Sequence, residues 1–290
     1  EELLSDRNQQ VFYYRKVLWQ YLVDNHNYSG AYCNFCSYLK TYPEFDSYFR
    51  KHRPSNVSQV TVRYETDMGK QAQLDWKESI PFLLSNGETI EVNIFVLLLS
   101  YSRFRIYKVS LTKTQDILFS FLDEAFETFG GVPEEIVTDN MKTVMDKART
   151  EYSDGKVNIR FQQFADDYGF RIHPCIAGHP RTKAKVEAPM KILDEIRAYN
   201  GKLDYCELNE LVKRINNRVN AQVNQGTGRI PLLYYAKEKA SLRSLPADTI
   251  RKPYQITCHT AKVNHSSLFH YQGNQYSVPP KYVGKQVTLQ

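Results

Sequence analysis

The strongest constraint on the fold is the order of hydrophobic patterns between residues 71 and 173. The first part of this region has three strand-like segments, at 71–76, 91–99 and 104–109. Alternating or continuous apolar runs of this length are typical of half-buried and fully buried strands. Asn86-Gly87, which lies between the first two, favours a tight hairpin turn. The region is therefore predicted to begin with antiparallel strands.

A helix and then alternating elements are predicted to follow these strands. Apolar side chains recur at helical spacing from Thr114 to Phe129, and Gly130-Gly131 and Pro133 are placed to end that helix. The remaining patterns predict a strand at 135–138, a helix at 161–168, a strand at 170–173 and a helix at 183–199. Three antiparallel strands, a helix and then alternating strands and helices is the order of a ribonuclease H-like fold.

The flanking segments differ in character, so the predicted fold class is a multidomain α+β chain. Its predicted parts are a helix-turn-helix DNA-binding segment at 1–50, a basic linker at 51–66, a ribonuclease H-like α/β catalytic core at 67–202, a helical connector at 203–246 and a small β-barrel at 247–290. A hairpin around Gly273-Asn274 supports the barrel. The chain stops within a strand pattern, so part of that barrel is expected to be absent.

The helix-turn-helix rests on weaker signals. Ser29 is placed to cap a second helix that runs through Leu39. The candidates for its DNA-facing side are Tyr32, Asn34, Phe35, Tyr38 and Lys40. Taken by itself, this segment fits a small helical bundle without a ligand equally well.

Composition excludes several classes of protein. Of the 290 residues 42% are hydrophobic and 13% aromatic, which is enough to build packed cores and argues against disorder. The longest apolar run, Ile94 to Leu99, is far shorter than the roughly 20 residues of a membrane helix, and no signal peptide is recognised. The net charge of +6 favours a polyanionic partner only slightly.

The five cysteines fit a protein of the reducing cytoplasm. Cys33 and Cys36 have the spacing of a metal or redox pair, but no second ligand pair follows them. The sequence therefore favours packing over zinc binding for these two residues.

Three acidic residues stand where a metal-dependent site could form. Asp75 lies in an alternating strand, Asp139 directly follows the strand 135–138, and Glu187 lies about one turn into a helix with a basic start. Two-metal phosphoryl transfer needs hard oxygen ligands that are clustered on rigid elements. An Asp at a strand end is usually a turn former, and a Glu on a helix is usually a solvated surface residue. Three acids in this order on these elements make that ordinary interpretation less favoured. Asp194 and Glu195 compete with Glu187 but lack a basic loop in front.

The motifs around these acids resemble those of the IstA transposases of two-gene bacterial insertion sequences. Residues 69–76, GKQAQLDW, are similar to their first-Asp motif, and residues 136–143, IVTDNMKT, to their second-Asp motif. Residues 179–187, HPRTKAKVE, resemble the loop and helix that carry the final Glu in the retroviral integrase superfamily. The likeness runs from near Val11 to near Tyr276. One departure is the gap of 48 positions from Asp139 to Glu187, with 150–158 as the expected insertion.

The resemblance implies a DDE transposase that nicks transposon ends and transfers the 3′-hydroxyl into target DNA. Asp75, Asp139 and Glu187 would be the catalytic residues and would hold two Mg²⁺ (or Mn²⁺) ions. The implied partners are transposon-end DNA, target DNA, further copies of the chain in a dimer or higher oligomer, and an AAA+ helper ATPase of the IstB type. The expected location is the bacterial cytoplasm, in association with the nucleoid. The alternatives are a catalytically inactive DNA-binding or architectural protein on the same fold and a plain metal-dependent nuclease.

Basic and polar residues around the acids are expected to contact phosphates. Lys183 and Lys191 lie four positions on either side of Glu187, on its helix face. Asn140 is expected to orient the second Asp or to touch DNA, and His173 and His179 to contact DNA or pack, because Mg²⁺ prefers oxygen ligands. The complete set of expected DNA contacts is Lys142, Arg181, Lys183, Lys185, Lys191 and Asn140 near the acids, and Tyr32, Asn34, Tyr38, Lys40, Arg50, Lys51 and Arg53 in the amino-terminal part. An ordinary surface role remains the alternative for any single lysine.

Overall fold

The computed structural model describes residues 12, 14–50, 65–176, 193–256, 259–271 and 273–289. Its first seven strands are β1 (Gln71–Leu83), β2 (Thr89–Leu99), β3 (Arg105–Ser110), β4 (Glu135–Thr138), β5 (Met145–Lys147), β6 (Lys156–Val157) and β7 (Arg171–Pro174). Five of them form one sheet in the order β3-β2-β1-β4-β7, and β5 and β6 form a separate two-stranded ladder. The β3-β2 and β2-β1 pairs are antiparallel, whereas β4 is parallel to both β1 and β7. This mixed sheet confirms the predicted ribonuclease H-like core.

Helices surround the sheet. They are α1 (Arg15–His26), α2 (Tyr32–Thr41), α3 (Pro43–Arg50), α4 (Gln115–Phe129), α5 (Ile159–Tyr168), α6 (Tyr205–Ala221), α7 (Pro231–Glu238) and α8 (Asp248–Arg251). Short 3₁₀ helices lie at Leu193–Tyr199, Lys239–Ser241, Lys252–Tyr254 and Pro280–Tyr282. No helix in the described part of the chain is both long enough and apolar enough to cross a membrane.

The best-predicted element is α4, because its sequence carries both end signals. The Thr114 hydroxyl accepts a hydrogen bond from the Ile117 N–H at the amino end. Gly130 ends the helix in the left-handed conformation, with φ of 67°. Gly87 likewise has a φ of 84° in the hairpin between β1 and β2, as the Asn-Gly pair predicts.

Strand β1 is 13 residues long, whereas the sequence predicted a strand at 71–76 only. The pairing with β2 is irregular between Lys77 and Ile80, and Ser79 has a φ of 48° at this bulge. The Ser79 N–H donates to the Asn93 side-chain oxygen at 3.0 Å, which supports the irregular backbone. Because a bulge reverses the alternation of inward and outward side chains, the sequence pattern hid the second half of the strand.

The predicted Ser29 cap is wrong. Helix α2 begins at Tyr32, with Ala31 at the cap position and no side-chain cap bond. The Trp19 indole N–H donates to the Gly30 carbonyl at 2.9 Å. This contact holds the preceding turn against α1, so tertiary packing, rather than a capping side chain, sets where α2 starts.

The two faces of the sheet bury different helices. One face packs against α4 and α5 through a cluster that includes Leu74, Trp76 and Phe126. The other face packs against the 3₁₀ helix at Leu193–Tyr199, α6 and the amino-terminal helices. The prediction that Phe35 faces DNA is therefore wrong, because this side chain is only 5% exposed and belongs to the second cluster.

Polar contacts join α1 to the same side of the sheet. The Asn25 side-chain N–H donates to the Tyr199 hydroxyl at 3.1 Å. The Arg218 guanidinium lies 3.6 Å from the Asp24 carboxylate. With the apolar cluster beneath them, these contacts pack the amino-terminal helices directly onto the core.

Four further strands follow the helical region. They are β8 (His259–Lys262), β9 (Leu268–Tyr271), β10 (Asn274–Ser277) and β11 (Gln286–Leu289). Within the described residues, β8 pairs with β11 and β9 pairs with β10, in two separate ladders. The hairpin predicted at Gly273-Asn274 is confirmed, and Gly273 has a φ of 80°. The small barrel and the five domain boundaries stay predictions.

Gly69 gives a test of close packing at the start of β1. A Cβ at Gly69, whose φ is 69°, would lie 2.3 Å from the backbone oxygen of Ser241, whereas a Cβ at Gly87 would meet nothing within 4 Å. We expect Gly87→Ala to lower the free energy of unfolding by about 1 kcal/mol through the left-handed conformation alone. Gly69→Ala should lower it by about 1–3 kcal/mol more, because backbone must move to remove the clash. Urea denaturation of the two variants measures both values, and equal losses would contradict the described packing.

Candidate active site

The sheet brings two of the three predicted acids to neighbouring positions. Strands β1 and β4 pair in parallel, with Gln73 opposite Val137 as the last pair in the register. Asp75 and Asp139 each come two residues after that pair. Because neighbouring strands lie about 4.8 Å apart and side chains alternate with a period of two, the register puts both acids at one level and toward one face. Both side chains are half-buried.

The face toward which Asp75 points is identified by its neighbour Lys77. Leu74 and Trp76 point into the cluster beneath α4 and α5, so Asp75 and Lys77 belong to the opposite face. The Lys77 ammonium bonds to the Asp194 carboxylate at 2.6 Å. The 3₁₀ helix at Leu193–Tyr199 therefore lies across the face from which Asp75 projects. Trp76 is a core residue and contacts the rings of Phe95 and Phe121.

Asn140 braces the strand end that carries Asp139. Its side-chain N–H donates to the Cys175 carbonyl at 3.0 Å, and its side-chain oxygen accepts from the Arg149 N–H at 2.7 Å. The Arg149 guanidinium donates in turn to the Pro174 carbonyl at 3.0 Å. Asn140 thus joins the end of β4 to the end of β7 and to the segment after β5. This arrangement favours the orienting role over the DNA contact that the sequence left as its alternative.

Sequence reasoning missed Arg149. The residue lies just before the segment that was interpreted as an insertion, and no motif marks it. Its two hydrogen bonds become visible only when β5 and β6 fold the segment back toward the end of β7. A basic residue in a predicted loop carries no signal of such a role.

The two competitors for the third acidic position are engaged in ion pairs. Asp194 pairs with Lys77 and lies 3.7 Å from Arg197. Glu195 is buried and pairs with Arg218, whose guanidinium nitrogens contact both carboxylate oxygens. Burial raises the pKa of Glu195, and the hydrogen bonds from Arg218 oppose this effect. Both acids therefore act in packing the segment 193–199 onto its neighbours.

Several predicted site residues lie outside the described residues. They are Glu187, Arg181, Lys183, Lys185, Lys191, Lys51, Arg53 and His179. Lys142 is exposed in the turn that follows Asp139, and His173 is exposed on β7. Their predicted contacts with DNA remain predictions.

The amino-terminal candidates divide into exposed and packed side chains. Asn34, Tyr38 and Lys40 are exposed on α2, and Tyr38 keeps 55% of its surface accessible. Tyr32 is half-buried, with the ring of Trp19 5.7 Å away and the Lys16 ammonium 4.9 Å from its ring centre. Arg50 is the last residue of α3. Tyr32 thus belongs mainly to the packing between α1 and α2.

The described residues alone do not complete a metal site. No group of three or more His, Cys, Asp or Glu side chains among them is arranged to hold a metal ion. Cys33 is exposed and Cys36 half-buried, and both are free thiols, so Cys33 does not pack in the core as the sequence suggested. The carboxylates of Asp75 and Asp139 offer hard oxygen donors of the kind that Mg²⁺ and Mn²⁺ prefer. The residues present therefore fit part of such a site.

Comparisons with known proteins agree with this fold. Residues 65–180 match the integrase core domain family, and residues 249–290 match the Mu transposase C-terminal domain family. The first match covers both Asp75 and Asp139, and it ends before Glu187.

Curated relatives match most of the chain. It is 53% identical over 289 residues to the transposase for insertion sequence element IS232 of Bacillus thuringiensis subsp. berliner, covering 99% of this chain and 67% of that protein. It is 30% identical to the transposase for insertion sequence element IS21-like of Bacteroides fragilis, covering 79% and 45%. It is 29% identical to the transposase for insertion sequence element IS21 of Pseudomonas aeruginosa, covering 83% and 61%. The chain thus spans between 45% and 67% of the lengths of these relatives.

Proposed function

Because the chain belongs to the IstA or IS21-type family of insertion-sequence transposases, we propose that it catalyses the phosphoryl-transfer steps of DNA transposition. These steps are metal-dependent nicking at the transposon ends and transfer of the resulting 3′-hydroxyl into target DNA. The observation that carries the proposal is the parallel register of β1 and β4, which puts Asp75 and Asp139 side by side within the matched integrase core.

Asp75 and Asp139 would act as the first two metal ligands. Divalent cations held there, two Mg²⁺ or Mn²⁺ in this proposal, would lower the pKa of the attacking group, which is water in nicking and the 3′-hydroxyl in strand transfer, and would neutralise charge on the leaving oxygen. The protein's contribution is to fix the two carboxylates on a rigid sheet, with Asn140 and Arg149 bracing the strand end that carries Asp139. Precise placement matters because displacements of about 1 Å are costly in such reactions.

Glu187 is the proposed third ligand. The sequence predicts one helix at 183–199, whereas the structure has a 3₁₀ helix at Leu193–Tyr199. With α-helical turns from Glu187 up to that 3₁₀ helix, Glu187 would precede Asp194 by about two turns and would lie on the same side. Asp194 bonds to Lys77 on the face toward which Asp75 points. A helix in that register would direct Glu187 toward the same face as the two aspartates.

The DNA and protein partners are proposed on the family resemblance. Three acids beside a polyanion require nearby cations, and Lys142, Arg181, Lys183, Lys185 and Lys191 are proposed to supply them. Pairing of two transposon ends requires at least a dimer on DNA. An AAA+ helper ATPase of the IstB type is the proposed partner that delivers target DNA.

Metal removal tests the proposed reaction. We expect the chain to nick a labelled duplex that carries the terminal sequence of its insertion sequence in Mg²⁺ or Mn²⁺, leaving a 3′-hydroxyl. Activity should disappear with EDTA and return when Mg²⁺ is added in excess, because the carboxylates alone cannot activate the nucleophile. Denaturing gels measure the nicked strand.

Two outcomes would favour the alternatives. Salt-dependent DNA binding without nicking in either metal would point to an inactive DNA-binding protein on the same fold. Nicking without any joining of the 3′-hydroxyl to a second duplex would point to a plain nuclease. Nicking that continues in EDTA would exclude the metal-dependent mechanism.

A further inference from the structure

A group of aromatic and basic side chains lies at the amino end of β1, away from the proposed active site. The group consists of Tyr101, Arg229, Tyr234 and Lys237 and is called the Arg229 cluster. The turn that carries Tyr101 adjoins the first residue of β1, because the Ser100 N–H donates to the Gln71 carbonyl at 2.8 Å. Asp75 comes four residues later, about 13 Å along the strand.

Cations in this cluster are stacked on rings. The Arg229 guanidinium lies 4.6 Å from the ring centre of Tyr234 and 5.9 Å from that of Tyr101. The Lys237 ammonium lies 5.4 Å from the Tyr234 ring centre. A guanidinium stacked on a ring keeps its in-plane N–H groups available to an anion at its edge.

Arg229 is held by the backbone of the preceding turn. The Asn224 N–H donates to the Arg229 carbonyl at 2.8 Å, and the Asn224 side-chain oxygen accepts from the Gly226 N–H at 3.0 Å. Among the described residues, neither Arg229 nor Lys237 has a carboxylate within ion-pair distance. These two cations are therefore pre-arranged without an acidic partner in that part of the chain.

The surrounding sequence is strongly basic. Residues 211–247 contain seven Lys and Arg and one acid, Glu238. Glu238 is fully buried and accepts hydrogen bonds from the N–H groups of Gly69 and Ser102, at 3.1 and 3.0 Å. The only acid in the segment is thus turned inward. Lys213 and Arg218 pair with acids outside the segment, so the charge of the Arg229 cluster comes from Arg229 and Lys237.

We propose that the Arg229 cluster is a second DNA-contact site, which binds the phosphodiester backbone independently of base sequence and away from the bond that is cut. The proposal rests on the proposed function, because it assumes that the chain acts on DNA. Phosphates complement the charge of the cluster, and an arginine fork matches their geometry. The Tyr234 ring is already in contact with two cations, so it is not a free base-stacking platform and readout of bases is not expected.

A protein partner is the competing occupant. Leu232 and Leu233, beside the cluster on α7, are 47% and 60% exposed. Exposed leucines favour a protein contact. Against an apolar protein surface, however, the two cations would be buried without acidic partners, and this costs free energy. The charge therefore favours DNA, and substitution of a leucine tests the protein alternative.

Salt dependence of DNA affinity measures the phosphate contacts directly. We would measure the binding of the whole chain to a labelled random-sequence duplex by fluorescence anisotropy, without divalent metal, between about 50 and 200 mM salt. Replacing Arg229 and Lys237 together by Ala should lower affinity roughly tenfold and make the slope of log K against log salt shallower by about two. Lys213→Ala is the control for the loss of a single charge, since Lys213 is exposed and is already paired with Glu210 at 2.7 Å.

Variants that separate charge from shape sharpen the test. Arg229→Lys should keep the wild-type slope, because the charge remains. Tyr234→Ala should lower affinity without changing the slope, because it removes the ring that orients both cations. Lys237→Ala alone, on an exposed helix position where Ala preserves the helix, should make the slope shallower by about one even if the double variant fails to fold.

Two results would overturn the proposal. One is a slope for Lys237→Ala and the double variant that equals that of Lys213→Ala. The other is unchanged DNA affinity in the double variant together with a change of oligomeric state in Leu232→Glu, measured by sedimentation, which would assign the surface to a protein. Asp75→Asn keeps the two proposals apart: wild-type-like nicking by this variant would defeat the active site, while its salt slope would still report on the cluster.

Discussion

Asparagine at either Asp75 or Asp139 is expected to lower the rate of metal-dependent nicking by at least about 10³-fold. The substitution keeps the shape of the side chain but removes the negative charge that holds a divalent cation. Binding of DNA should persist or strengthen, because an acidic group beside the phosphates is lost. Single-turnover nicking at saturating enzyme measures the rate, and anisotropy measures the affinity.

Asp146→Asn is the matched control for this prediction. Asp146 is exposed on β5 and accepts a hydrogen bond from the Asn158 side chain at 3.0 Å. The Asp146→Asn variant should nick at close to the wild-type rate. Glu187→Gln should lower the nicking rate as the two aspartate variants do. Asp194→Asn should not lower it in this way. Nicking at near wild-type rates by Asp75→Asn or Asp139→Asn would remove the basis of the proposed site.

A second large effect is expected at Asp123, a buried carboxylate on α4. Its oxygens accept hydrogen bonds from the Arg251 guanidinium at 2.7 and 3.2 Å and from the Tyr168 hydroxyl at 2.7 Å. The side chain of Gln255 donates to it as well, at 2.8 Å. Asp123→Ala should lower the free energy of unfolding by about 3–5 kcal/mol, because it leaves Arg251 buried without its principal anion. Urea denaturation followed by circular dichroism measures the loss.

The control for Asp123 shares the same cation. Asp248 lies 3.6 Å from Arg251, but its side chain is 85% exposed. Asp248→Ala should change the free energy of unfolding by no more than about 0.5 kcal/mol. An arginine side chain stays protonated throughout the neutral range, so a higher pH within that range should not relieve the loss. A loss below about 1 kcal/mol in Asp123→Ala would show that water or repacking compensates the buried charge.

The sequence predicted those parts of the fold whose signals are local. The ends of α4 are marked by Thr114 and Gly130, and the β1–β2 hairpin is marked by Asn86-Gly87. The apolar run of β2 and the short strand β4 follow from continuous burial. Asp75 and Asp139 are predicted from their motifs, and the parallel pairing of β1 and β4 puts the two positions on neighbouring strands.

Features that depend on distant contacts could not be predicted. The second half of β1 was hidden because Ser79 is supported by Asn93 on the neighbouring strand. The start of α2 depends on Trp19, and the burial of Phe35 depends on the sheet beneath it. The role of Arg149 depends on the return of a loop to β7. In each case the deciding partner lies well away along the chain or on another element, where periodicity and capping rules carry no information.

The packing of α1 and α2 on the sheet has a consequence for how a DNA end would be positioned. Asn34, Tyr38 and Lys40 are exposed on the outer side of a helix whose inner side, through Phe35 and Leu39, is part of the cluster that covers the sheet. If α2 binds DNA and the chain cuts it, as proposed, the number of base pairs between the bound site and the bond cut by the same subunit would be set by this packing. A transposon end whose recognition site lies at another spacing would have to be cut by a second copy of the chain.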